Sequence, residues 1–381
     1  MAIKRKKILC FVTGTGLGGV AIAFTAFAKA LEECGFDVKA LLLYEKNVYE
    51  TPIPQKYICG FVFKKPIKNK ILRLVVQVFN LLTRRYFYFK FVKYIEHDIF
   101  VVYQALGCSH WYKYTKCPKF VFFHQIQQKP KKGWFKLLFH RIYAYRYNLF
   151  TERIAISNSI AQSVQEVYGI KGMPVVISNL LSINEIVEKS SEKQDRIKRK
   201  DRLQFVCVAR LSPEKGVLRL LRVAKRLRRQ GYCDFDLFLI GSGPLFKEIE
   251  QEICRNHHET WLHLLGPMSN PYPYIKAADM LILPSYEEGL GLVLWEALLL
   301  ETPVLATRSK GALEALCDGE WGRLVENTEE GLYDGMKLTL ERYAEFSPFV
   351  DFKKVRIALE QRNQIAIKAL CTLFDNEDVM A

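Results

Sequence analysis

The feature that most limits this 381-residue chain is an order of apolar run, polar or glycine turn and helix-spaced segment that starts twice. Lys7 to Thr13 reads as a short buried strand and Gly14-Thr-Gly-Leu-Gly-Gly19 as a turn. Val20 to Cys34 reads as a helix, with Phe24, Phe27, Ala28 and Leu31 at helical spacing and Gly35 as its stop. Phe36 to Leu43 is the next strand. The order begins again at Leu203 to Ala209, followed by Arg210-Leu-Ser-Pro-Glu-Lys-Gly216, with Ser212 as N-cap and Pro213 at the first helical position. A strand–helix–strand series implies a parallel sheet covered by helices. The chain is too long for one core, so two domains of about 150–200 residues are expected. Between the two series, residues 188–202 carry many charges with no apolar period and read as a linker. The expected division is 1–187, linker 188–202, 203–355, and a C-terminal helix in 356–381 packing back toward the N-terminal domain.

Further strands are expected at Asp98 to Tyr103, Lys119 to Phe123, Arg153 to Ile156 and Met173 to Ile177. In the second half they fall at Asp236 to Ile240, Trp261 to Leu265, Met280 to Leu283 and Pro303 to Ala306. His124 follows one of these strands, where open parallel sheets carry their functional groups.

The richest stretch is Pro284-Ser-Tyr-Glu-Glu-Gly-Leu-Gly-Leu-Val-Leu-Trp-Glu-Ala-Leu298. A strand precedes it, Gly289 and Gly291 let the backbone approach a ligand, and a helix begins at about Val293. Free N–H groups at such a helix start hold phosphate oxygens. Glu288 and Glu296 frame the loop, so diphosphate and hydroxyls on one molecule, as in a nucleotide sugar, fit it. A plain strand-to-helix turn with two solvated acids fits the same residues. Arg210 and Lys215, beside another helix start, strengthen the anion reading.

The net charge of +16 is uneven. Residues 1–190 hold 29 Lys and Arg against 11 Asp and Glu, while residues 191–381 hold 27 against 29. A basic half of this kind suits a polyanion such as nucleic acid or an anionic membrane surface. Two segments mix basic and aromatic residues, 64–94 and 129–147, as interfacial helices do. A core helix with a solvated basic face fits them equally, and no nucleic-acid motif accompanies them. No stretch of 18 uncharged apolar residues occurs, so no membrane span is expected. The ten cysteines lack any C-x-x-C pair and fit buried thiols of a cytosolic protein.

Gly14-x-Gly16-x-x-Gly19 matches the dinucleotide fingerprint, which leaves a nicotinamide-dependent oxidoreductase as the alternative reading. The acid that such a site needs for the ribose is misplaced: Glu45 lies beyond the second strand. Asp234-Phe-Asp236 opens a buried strand, and Cys254, His257, His258 and His263 lack zinc spacing, so no metal is expected.

These motifs together resemble bacterial glycosyltransferase family 4. They are Gly18-Gly19, Arg210 with Lys215-Gly216, Gly241-Ser-Gly-Pro244, and the E-x7-E motif from Glu288 to Glu296. Asn270 to Asp279 resembles the branch that builds surface glycans. Leu290 stands where that family often has Phe. The resemblance is strong over about 203–326 and weaker over 1–185. It implies a GT-B fold, two Rossmann-like α/β domains facing across a cleft. It also implies a retaining hexosyltransferase moving a hexose or N-acetylhexosamine from a UDP-linked donor to a glycan or lipid-linked glycan. The implied catalytic residues are Arg210, Lys215, Glu288 and His124. The implied donor-binding residues are Gly18, Gly19, Gly241, Gly266, Pro267, Met268, Gly289, Leu290, Gly291, Leu292, Val293 and Glu296. No metal or other cofactor is implied, and no nucleic acid. The implied location is the cytoplasm, peripheral on the inner face of the cytoplasmic membrane.

Overall fold

The computed structural model describes residues 5–12, 19–42, 55–57, 93–103, 115–128, 134–194, 201–346 and 350–375. Gly14 to Gly18, Glu45, most of 64–94 and the start of 129–147 lie outside them. The chain divides into two units, one drawing on Met1–Leu180 and Asn363–Ala381, the other on Leu181–Arg362.

The first unit is a parallel sheet of β1 (Lys7–Val12), β2 (Asp37–Leu42), β3 (Gln55–Tyr57), β4 (Ile99–Val102), β5 (Lys119–Phe123), β6 (Glu152–Ala155) and β7 (Val175–Val176). Its order is β3-β2-β1-β4-β5-β6-β7, with Cys10 of β1 level with Ala40 and Val101. The central strands are near-continuous apolar runs because both faces of a parallel sheet are covered. The helix Gly19–Glu33 buries Phe24, Phe27 and Leu31 on one face. Ala366, Leu370 and Phe374, from the end of the helix Phe352–Asp375, fill the same core. The Phe374 ring meets Phe120 edge-on at 4.9 Å.

The second unit is the parallel sheet β10-β9-β8-β11-β12-β13, made of β8 (Leu203–Val208), β9 (Phe235–Ile240), β10 (Leu262–Gly266), β11 (Met280–Leu283), β12 (Val304–Thr307) and β13 (Arg323–Val325). Both sheets run outward from their first strand, reverse, and add the rest on its other side. That reversal leaves a crevice at the carboxyl ends of the two strands where winding changes direction. In this unit those strands are β8 and β11, in register with Phe205 beside Met280 and Val206 beside Leu281. The loops that leave them therefore start side by side.

The loop after β8 differs from the expected single helix start. Pro213–Lys215 form one separate 3₁₀ turn and the helix begins only at Val217. The Ser212 hydroxyl makes no cap bond and instead donates to Glu214 Oε1 at 2.7 Å. Gly216 causes the break: it is left-handed (φ 65°), and a Cβ there would lie 1.9 Å from the Pro284 carbonyl oxygen. A side chain at this position would push the two loops apart.

Candidate functional site

The two loops at the β8/β11 reversal are joined by an ion pair that sequence separation hides. Lys215 Nζ donates to both carboxylate oxygens of Glu288, each at 2.8 Å. Both side chains are largely shielded, at 22% and 11% exposure, so water weakens the pair less than at an open surface. Ser285, itself buried, adds a hydroxyl bond to Glu288 Oε2 at 3.1 Å. The Tyr286 N–H donates to the Glu214 carbonyl at 2.9 Å, a further tie between the loops.

Arg210 stands at the rim, its side chain 61% exposed, in an ion pair with Glu214. The Glu214 carboxyl is held below the usual carboxylate range: its own burial opposes the shift, and bonds from Ser212, its own backbone and Arg210 outweigh that. The Leu211 N–H donates to the Ser242 carbonyl, and the Gly241 N–H to the Gly266 carbonyl, both at 2.9 Å. The tips of β8, β9 and β10 are thereby linked into one rim carrying Arg210, Gly241 and Gly266. Beyond Gly266, Pro267 is exposed and Met268 half-buried.

The E-x7-E stretch folds as expected from strand, glycine turn and helix. Gly291 caps the helix Leu292–Leu299 in the left-handed conformation (φ 74°). Gly289, Leu292 and Val293 are half-buried, and Leu290 and Gly291 are buried. The first N–H groups of a helix have no partner inside it, so this turn presents donors at the crevice. Gly311, in the helix Lys310–Ala315, braces the loop from behind: a Cβ on it would lie 2.5 Å from the Glu288 carbonyl oxygen.

Glu296 is 4% exposed and has no hydrogen-bond or ion-pair partner for its carboxylate among the described residues. Burial pushes its carboxyl up to about 7. A carboxylate so placed gains by accepting hydroxyl donors, as a ribose would supply.

His124 closes β5 in the other unit. Neither ring nitrogen makes a well-formed hydrogen bond among the described residues; the ring lies 4.6 Å from that of Tyr103, whose backbone weakly favours the protonated form. Burial pushes the imidazole down to about 4, so it is neutral near pH 7. Gly19 is the exposed first residue of its helix, and Gly18 lies outside the described residues. The Asp236 carboxylate is taken up by Arg202 and Gln204, at 3.3 and 3.4 Å.

Sequence reasoning missed Ser285, Glu214 and the buried Arg219 of the helix Val217–Arg229. The Ser285 hydroxyl was open to inference, being three residues before Glu288. The others act through contacts that only folding creates.

The Glycosyl transferases group 1 family matches residues 188–346. An uncharacterized glycosyltransferase of Methanocaldococcus jannaschii is 24% identical over 67% of this chain and 66% of its own length. An N-acetylgalactosamine-N,N'-diacetylbacillosaminyl-diphospho-undecaprenol 4-alpha-N-acetylgalactosaminyltransferase of Campylobacter jejuni is 32% identical over 44% of each chain. The chain thus spans less than two thirds of the length of these curated relatives. The crystal structure of Anabaena HepE in complex with UDP and glucose superposes with a TM-score of 0.75, at 19% identity, over 97% of this chain and all of that one. The chain has a GT-B fold and is related to the group 1 glycosyl transferases.

Proposed function

We propose that this chain, a GT-B-fold relative of the group 1 glycosyl transferases, is a retaining glycosyltransferase. It transfers a hexose or N-acetylhexosamine from a UDP-linked donor to a glycan or lipid-linked glycan in cell-surface polysaccharide synthesis. The observation that carries this reading is the Lys215–Glu288 pair, set where two parallel strands reverse their winding and beside a glycine-capped helix start. The relatives support its direction: one is named for sugar transfer to a diphospho-undecaprenol-linked glycan, another was crystallised with UDP and glucose.

In this reading Arg210, Lys215 and the N–H groups from Gly289 to Val293 hold the donor diphosphate. Gly241, Gly266, Pro267 and Met268 line the nucleoside, and Glu296 accepts the ribose hydroxyls. Glu288 accepts a sugar hydroxyl, and its bond to Lys215 holds the sugar and the leaving group in one frame. His124, neutral, serves the acceptor or sugar as a hydrogen-bonding group. As the sugar's C1–O bond to phosphate breaks, the acceptor oxygen bonds C1 on the same face. Its proton passes to the departing phosphate oxygen. The two cations and the helix start balance the charge that develops, without a metal ion. The chemistry is positioning and charge stabilisation.

The basic, aromatic segments of the N-terminal unit are proposed to hold an anionic membrane surface on the cytoplasmic side. Among the described residues Tyr94, Arg141, Ile142 and Tyr145 are exposed. No helix among the described residues is long and apolar enough to cross a membrane. Vesicles containing phosphatidylglycerol should therefore sediment with the protein at low salt and release it at high salt. Equal binding to neutral vesicles would remove the electrostatic claim.

The enzyme reading is tested by incubating the chain with UDP-hexoses and UDP-N-acetylhexosamines in EDTA and measuring UDP release. Arg210→Ala and Glu288→Ala should each lower turnover by about 10²–10³-fold while melting stays cooperative. Unchanged turnover in both would end this assignment.

A further inference from the structure

Arg219 is the largest charged side chain fully inside the second unit, 1% exposed. No carboxylate among the described residues forms an ion pair with it. Burial holds its guanidinium below the usual arginine range. A buried unpaired cation is costly, so its retention asks for contacts that use it. Its contacts all lead to one place. Arg219 Nη2 donates to the Pro284 carbonyl at 2.6 Å and to Asn327 Oδ1 at 2.9 Å. The guanidinium carbon lies 3.9 Å from the centre of the Tyr286 ring. Asn327 Nδ2 in turn donates to the Tyr286 carbonyl at 3.0 Å, and Thr307 Oγ1 to the Ser285 carbonyl at 2.6 Å.

Three consecutive carbonyls, Pro284, Ser285 and Tyr286, are thus each bound by a side chain from a different element. The Tyr286 N–H is held by Glu214. This leaves the backbone leading to Glu288 little freedom to shift. A neutral side chain could satisfy one carbonyl. Both bonds come from the one Nη2, and Nε and Nη1 are buried without a hydrogen-bond partner among the described residues, so it is the flat guanidinium lying over the Tyr286 ring that distinguishes arginine from a compact ammonium here.

We propose that Arg219 is a positioning residue of the transfer site, setting the Pro284–Glu288 backbone and thereby the place of the Glu288 carboxylate. The inference rests on the reading of Glu288 as a sugar-holding group. Arg219 touches neither donor nor acceptor in that reading. It acts through the loop, so its loss degrades alignment during transfer more than donor binding.

Steady-state UDP release from the UDP-sugar that the wild type turns over fastest, alongside thermal melting, provides the test. Arg219→Lys should lower kcat about tenfold and Arg219→Met about 100-fold, with donor KM within about threefold, as for misalignments of roughly 1 Å. Asn327→Ala, which removes the partner at the exposed end of the bracket, should lower kcat in the same direction with KM held. Wild-type kcat in a folded Arg219→Lys or Arg219→Met overturns the inference. So does a kcat loss that only tracks the unfolded fraction seen in melting. If neither arginine variant folds, wild-type kcat in Asn327→Ala overturns it. A wild-type chain that binds and cleaves no nucleotide sugar removes the proposed function itself, and this inference with it.

Discussion

The two units share one winding order yet furnish the ends of their strands differently. In the C-terminal unit, the loop after β11 is tied to the loop and helix after β8 by Lys215–Glu288 and Arg219–Pro284, and to the end of β12 and the residues after β13 by Thr307–Ser285 and Asn327–Tyr286. In the N-terminal unit, the described group at the corresponding edge is His124, with no well-formed hydrogen bond to either ring nitrogen among described residues. In both units burial shifts an ionisable group toward its neutral form, but of opposite kind: an acid, Glu296, raised to about 7 in one, and a base, His124, lowered to about 4 in the other. The same winding order therefore carries an ion-paired, braced strand end in one unit and a buried, neutral imidazole in the other.

The comparison breaks most visibly at its strongest tie. Lys215→Ala should lower turnover by about 10²–10³-fold, the loss of one preorganised cation facing developing charge. A fall below threefold would show that the tie between the loops is structural alone.

Opposite pH signs sharpen the contrast next. The Glu296 carboxyl is raised to about 7 against an ordinary 4.5, so its contribution to stability is full below pH 4.5 and is lost as pH rises through 7. Glu296→Gln should thus gain about 3 kcal/mol over the wild type at pH 8 relative to pH 4, by urea unfolding. It should also weaken UDP binding, and abolish the tightening of UDP that ionisation brings between pH 6 and 8. Equal pH profiles for variant and wild type would show that Glu296 is not buried as neutral acid.

The smallest effect lies in the other unit and has the reverse slope. His124 is lowered to about 4 against an ordinary 6.5, so the fold is penalised as pH falls from 6.5 toward 4. His124→Phe should remove roughly 2 kcal/mol of that penalty by pH 5, read as a smaller acid shift in melting temperature. An unchanged acid shift would mean that the imidazole takes up its proton without penalty.

The apolar runs and glycine turns were enough to name strands, helices and the parallel arrangement, because periodicity and turn chemistry are local. Phe205 to Val208 and Met280 to Leu283 have the composition of strands buried on both faces. Gly289, Gly291 and the two glutamates were legible for the same reason: strand, turn and helix start are adjacent in the chain. Locality also produced the misplaced helix start at Ser212, since Pro284, whose carbonyl crowds Gly216 and enforces the break, is 68 residues away.

Burial, pairing and charge state required the folded chain. Lys215 and Glu288 are 73 residues apart, and nothing in either neighbourhood announces the other. Arg219 sits in a run with Arg222, Lys225, Arg226, Arg228 and Arg229, and only packing decides that Arg219 is buried under Tyr286 while Arg222 and Arg229 face solvent. A pKa depends on what replaces water around a group, and so on residues brought from elsewhere in the chain. Residue order decided the kinds of element and the chemistry available at their ends. The tertiary structure decided which of those groups meet, and in which protonation state they are held.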